Sequence, residues 1–269
     1  MTRSRIHAPC AALATALLSL TAQAEPPPQT LDLGKLPIEV VNDVVIPIPQ
    51  EIFASLDKLG KQNWGSQITK KEVELNTSRS RTALLFGLVI SDGFVAVQAK
   101  DRESVKLIGR DVLNLAKAIG VQDEVAGHSQ AIIDFAEGDE WSSVRKELDR
   151  TRQTVIEEME ENRDRELADL VSIGGWLGGT RALSSLLAGS YTADGSELLN
   201  QPELLDQISE VYANLSDRSK RGDLFDQVAA TLLNLRPLMR TNPEGFVPEK
   251  SVQEIASITD SLTNDVYAK

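Results

Sequence analysis

The sequence predicts an all-α protein: a single domain of about seven to nine helices behind an extended N-terminal arm. Three observations carry that prediction. Apolar residues recur at spacings of three and four, segment after segment, from Ile52 to Leu262. Gly, Pro and Asp punctuate these segments where helices stop and start. The one β-branched run, Ile38 to Ile48, is short and is weakened as a paired strand by Pro47 and Pro49.

Residues 1–24 read as a leader. Arg3, Arg5 and His7 precede a ten-residue apolar run from Ala11 to Leu20, and Ala22-Gln23-Ala24 matches a small-residue cleavage signal. The run is too short to cross a bilayer and is followed by Glu25 and three prolines. The expectation is a periplasmic or secreted protein with no transmembrane span in the mature chain. Residues 25–48 form the arm. Asn42-Asp43 between two apolar runs suits a short hairpin, and an extended strand lying on the body suits it equally.

The helical domain, residues 49–269, follows. Ile52, Phe53, Leu56 and Leu59 share one stripe, with Gly60 as a stop. A turn-rich stretch from Gly65 to Ser80 leads to Ala83–Ala99, which is apolar on all sides except at Ser91, Asp92, Gly93 and Gln98 and reads as a buried central helix. Asp101 caps the next helix, whose stripe is Val105, Ile108, Val112, Leu115 and Ile119, with Gly120 as its stop. Val125, His128, Ile132 and Phe135 mark another, ending near Gly138. From Asp139, taken as a cap, one long solvated helix is expected. Sixteen of the thirty-one residues from Glu140 to Leu170 are charged, although the apolar seam fails between Glu160 and Glu166.

The chain then turns apolar and glycine-rich. Gly174, Gly175, Gly178 and Gly179 stand in two i,i+4 pairs, which fits a bare stripe for close helix packing against Ala83–Ala99. A helix break or an anion-binding loop are the alternatives, but no G-x-x-x-x-G-K-[ST] or G-x-G-x-x-G is present. Three more helices follow Pro202, Asp223 and Pro248, the second stopping at Pro237.

Composition excludes several chemistries. The chain carries 28 basic and 40 acidic residues, a net charge of -12, so a phosphate backbone is repelled and no nucleic-acid partner is expected. Losing the leader removes Cys10 and His7, leaving one histidine and no thiol. Thiol chemistry, zinc fingers and multi-histidine sites therefore lack their residues, and no metal, cofactor or catalytic residue is expected. His128 on an apolar stripe reads as a packing residue, since no G-x-S-x-G elbow accompanies it.

What remains suggests binding. Trp64, Trp176 and the charged residues Arg79, Arg81, Asp92 and Arg181 are the candidate ligand contacts, with Asp92 expected to pair with Arg181 because an isolated carboxylate in so apolar a helix is costly. The expected function is a non-catalytic one in the cell envelope, with a small ligand or an envelope protein as partner. The alternative is a carboxylate-dependent hydrolase acting on an envelope glycan, which needs only two acidic groups.

Overall fold

The structure, a computed structural model, describes residues 38–41, 44–47, 59–60 and 62–268. The leader, most of the arm with its Asn42-Asp43 turn, and the helix expected over Ile52–Leu59, apart from Leu59 itself, lie outside the described residues. Two four-residue strands, β1 (Ile38–Val41) and β2 (Val44–Pro47), pair antiparallel with Ile38 opposite Pro47 and Val41 opposite Val44.

Most of residues 62–268 is helical. Eight long helices follow in order: α1 (Arg79–Gln98), α2 (Arg102–Ile119), α3 (Gln122–Glu137), α4 (Trp141–Glu161), α5 (Arg165–Gly189), α6 (Pro202–Asn214), α7 (Asp223–Leu238) and α8 (Glu249–Tyr267). A one-turn helix, Ala193–Ser196, and a 3-10 turn, Glu197–Leu199, join α5 to α6. Ser78 caps α1 through the Arg81 amide and Asp101 caps α2 through the Ser104 amide, while Pro202 occupies the first turn of α6, where its missing N–H is no loss. Pro237 lies inside the last turn of α7, one residue before its end rather than beyond it.

The central pair is α1 against α5. α8 lies on α5, α2 on α1, the pair α3/α4 extends the bundle on one side, and α6/α7 extends it on the other. α1 is long and apolar enough to span a membrane by length and composition, and 83% of its apolar window is buried inside the protein. Glycine makes the α1/α5 contact possible. A Cβ placed on Gly87 would overlap Val171 O and stand 2.6 Å from Gly175 N; one on Gly174 would overlap Leu84 O, and one on Gly178 would overlap Ser91 Oγ. Gly174–Gly178 is thus the working pair, with Gly87 as its counterpart. Gly175 and Gly179, expected to supply the bare stripe with them, do not need to be bare: the Gly175 backbone takes part in the contact, but a Cβ there would meet only Gly87 O at 3.8 Å, and one on Gly179 would meet nothing within 4 Å.

Two other expectations are corrected. The long helix from Glu140 to Leu170 is two helices, parted at Asn162-Arg163-Asp164 where the apolar seam fails. Arg163 turns left-handed (φ +61°), and the Asp164 amide donates to Met159 O, closing a Schellman turn. Asp139 does not cap α4 with its side chain. It is itself left-handed (φ +56°), ends α3 by the same motif as the Glu140 amide reaches Phe135 O, and places its carboxylate 2.8 Å from Arg102 Nη2.

Candidate functional site

The close approach of α1 and α5 dictates what lies beyond it. The helices cross in the same chain direction, Gly87 against Gly174 and Ser91 against Gly178, so the next charged residues on each, Asp92 and Arg181, meet at the end of the contact. Arg181 Nη2 lies 3.2 Å from Asp92 Oδ1, and both residues are buried, 6% and 4% exposed.

Two further segments close over this pair. The 3-10 turn Trp64–Gln67 and the irregular chain after it pack on α1 and α5, inserting Trp64 (4% exposed) and Ile68 into the core. Gln67 O accepts from Arg181 Nη2 at 2.5 Å, and Thr69 gives Asp92 Oδ1 its hydroxyl at 3.1 Å and its amide at 3.4 Å. From the last turn of α8, the Tyr267 hydroxyl donates to Asp92 Oδ2 at 3.0 Å. Burial pushes Asp92 above the usual carboxylate range, and Arg181, Thr69 and Tyr267 act against that rise. Tyr267 is raised as well, by burial first and then by the neighbouring Asp92 charge, so its hydroxyl stays a donor.

Among the described residues the groups that act on Asp92 are donors, and no second carboxylate joins it for general acid and base work. Two of the buried donors that have no acceptor among the described residues are Arg181 Nε, on the ion-paired guanidinium, and Trp64 Nε1, on the turn that also carries Gln67. Orphan donors of this kind cost about 1–3 kcal/mol each.

The other candidate residues are placed elsewhere. Arg79 holds Asp164 (2.6 Å) and Ile119 O (3.0 Å), bracing the α4–α5 break. Arg81 donates to Asp265 O at 3.0 Å and to Ala268 O, where a cation complements the C-terminal end of α8. They stand thirteen and eleven residues before Asp92 on the same helix, roughly 16–20 Å away along its axis. Trp176 is half-buried and donates to Gln201 Oε1 at 3.3 Å. Five residues before Arg181, it points about 140° round α5 from it.

His128 is held at both ring nitrogens. Nδ1 lies 2.6 Å from Glu147 Oε1 and Nε2 lies 3.2 Å from Thr154 Oγ1, while Arg150 pairs with the other Glu147 oxygen at 3.1 Å. The order hydroxyl, imidazole, carboxylate is that of a hydrolase relay. Thr154, however, sits within α4, whose amides there are spent on helix bonds, so α4 itself offers it no backbone pair to stabilise an oxyanion. The arrangement fastens α3 to α4. A nearby cavity of about 20 Å³, lined by Ile90, Val105, Ile132 and Leu148 with Gly93 and Gly109, has room for one water and not for an organic ligand. Among the described residues no three His, Cys, Asp or Glu side chains converge to hold a metal.

Sequence reasoning missed Thr69, Gln67 and Tyr267, which lie 23, 25 and 175 residues from Asp92 and carry no local signal. Glu147 and Thr154 were missed also, although their i,i+7 spacing does put both on one face of α4. No protein-family model, curated protein or solved structure matches the chain.

Proposed function

We propose that the chain is exported to the periplasm or secreted, and acts there without catalysis by binding a small ligand or an envelope protein at the Trp64–Asp92–Arg181 centre. One observation carries the reading: two buried N–H donors, Arg181 Nε and Trp64 Nε1, the second on the turn that also carries Gln67, have no acceptor among the described residues. A bound acceptor would satisfy the donors it reaches. Because Asp92 already balances the Arg181 charge, the fitting ligand is neutral and oxygen-bearing, a sugar or an amide rather than an anion, with the Trp64 ring as an apolar wall.

Thermal melting against neutral saccharides and amides tests this. A binder raises the melting temperature of the wild type and raises that of Trp64→Phe less, because the ring is kept while the N–H is lost. Equal shifts in both proteins, or none in either, overturn the site. Export is tested separately: the protein recovered from the periplasm or medium begins at Glu25, and an intact Met1 in that fraction defeats it.

The hydrolase alternative draws on a different residue. Asp169 on α5 is pushed up to about 6, chiefly by burial and further by Glu160 and Glu166, against the opposing pull of Arg165. Turnover of an envelope glycan that disappears in Asp169→Asn replaces the binding reading.

A further inference from the structure

We infer that residues 62–78 are a detachable strap, latched through Gln67 and Thr69 to the buried Asp92–Arg181 pair, and that its release, which carries Trp64 with it, exposes the Asp92–Arg181 side of the binding centre without unfolding the helices. The inference rests on the proposed function only for what enters once the strap is off.

The strap differs from everything it lies on. Apart from the single turn Trp64–Gln67 it has neither helix nor strand until α1 begins at Arg79. Two side chains, Trp64 and Ile68, anchor it in the core, whereas Lys70, Lys71, Glu72, Glu74 and Leu75 are exposed. Val73 also packs, half-buried, against the core, and the hydrogen bonds that tie the segment to the body include Gln67 O to Arg181, the Thr69 amide and hydroxyl to Asp92, and Asn76 O to the Thr82 hydroxyl at 3.3 Å. A segment with most of its side chains in solvent and no helix or strand beyond one turn opens at a fraction of the global free energy.

Closure is also incomplete. It buries Trp64 Nε1 and Arg181 Nε without acceptors, and both would be hydrated in the open state. Opening does not strip the ion pair either, because Asp92 keeps Arg181 and the Tyr267 hydroxyl, neither of which belongs to the strap. The latch is therefore one-sided. The helices hold the pair together, and the strap borrows it.

Hydrogen exchange read by mass spectrometry on the full chain tests this without a ligand. The amides of residues 64–69 should exchange together, at least 100-fold faster than those of residues 84–97 in α1. Thr69→Val, which removes the hydroxyl donor, should speed the strap by a further tenfold and leave α1, α4 and α5 unchanged. Thr69→Ser, which keeps the hydroxyl, should match the wild type. Exchange of residues 64–69 at the rate of the α1 core overturns the strap, as does a Thr69→Val effect that spreads equally to the helices. A strap that opens in a protein that binds no neutral acceptor leaves this inference standing and removes the proposed function.

Discussion

Asp92 and Arg181, 89 residues apart in sequence, form a buried ion pair at the end of a glycine-lined helix contact, 3.2 Å between Oδ1 and Nη2. The pair costs desolvation on both sides, so its value lies in what happens when it is broken. Asp92→Ala leaves a guanidinium in the core that cannot shed its charge, and a loss of about 3–5 kcal/mol in chemical denaturation is expected. Arg181→Met should cost less, because Asp92, already pushed upward by burial, can take a proton. The double variant Asp92→Leu/Arg181→Met should be more stable than Asp92→Ala alone. Equal losses in both single variants would show that neither charge relaxes.

The glycines separate into two classes that one melting series can distinguish. Gly87→Ala, Gly174→Ala and Gly178→Ala each force a methyl onto backbone or Ser91 of the facing helix, and losses of about 1–3 kcal/mol or more are expected. Gly179→Ala meets open space in a helix interior, so it should gain up to about 1 kcal/mol from helix propensity. Gly175→Ala, with Gly87 O at 3.8 Å, should be neutral or mildly stabilising. A loss in all five variants would mean that the helices meet across the whole stripe.

The same residues show what could be read in advance. An apolar helix with one carboxylate needs a partner, and the one charge in the glycine-rich segment was Arg181, so the pair was legible from burial cost alone. The glycine stripe was legible as a close contact, but not which i,i+4 pair makes it, because that depends on rotation about the helix axis. The break at Asn162–Asp164 was hidden for a physical reason: a Schellman turn usually advertises itself with glycine, and here Arg163 takes the left-handed position, as Lys100 and Asp139 do at the ends of α1 and α3. Of the donors around Asp92, only Arg181 lay in a segment whose pattern pointed to the centre. Thr69 and Tyr267 reach it through the packing of distant segments, which no local period encodes.

Those left-handed positions carry a stability reserve. A side chain there costs about 1–2 kcal/mol against glycine, offset in part by the chain entropy that glycine restores to the unfolded state. Arg163→Gly should therefore gain about 0.5–1 kcal/mol, since Arg163 is exposed. Asp139→Gly should gain less, because it gives up the contact with Arg102. A destabilised Arg163→Gly would indicate that its side chain holds the α4–α5 turn.

Asp169 sets the expected pH response. Its carboxyl is raised from 3.8 to about 6, first by burial on α5, with Glu160 and Glu166 adding like charge and Arg165 opposing them. The folded chain therefore binds more protons than the unfolded one between these two values, and stability must fall as pH rises through that window. The contribution is fully present below about pH 4, declines toward pH 6 and is absent above about 7. A two-unit shift corresponds to about 3 kcal/mol, and partial exposure reduces this to about 1–2 kcal/mol. Asp169→Asn cannot ionise, so its unfolding free energy should exceed that of the wild type at pH 7 and approach it at pH 4. The check is urea denaturation of both proteins from pH 4 to pH 7.5, taken as a difference so that other carboxylates cancel. A difference that stays constant across the range, or grows toward acid, would place Asp169 in contact with water and return its proton to the ordinary carboxylate range.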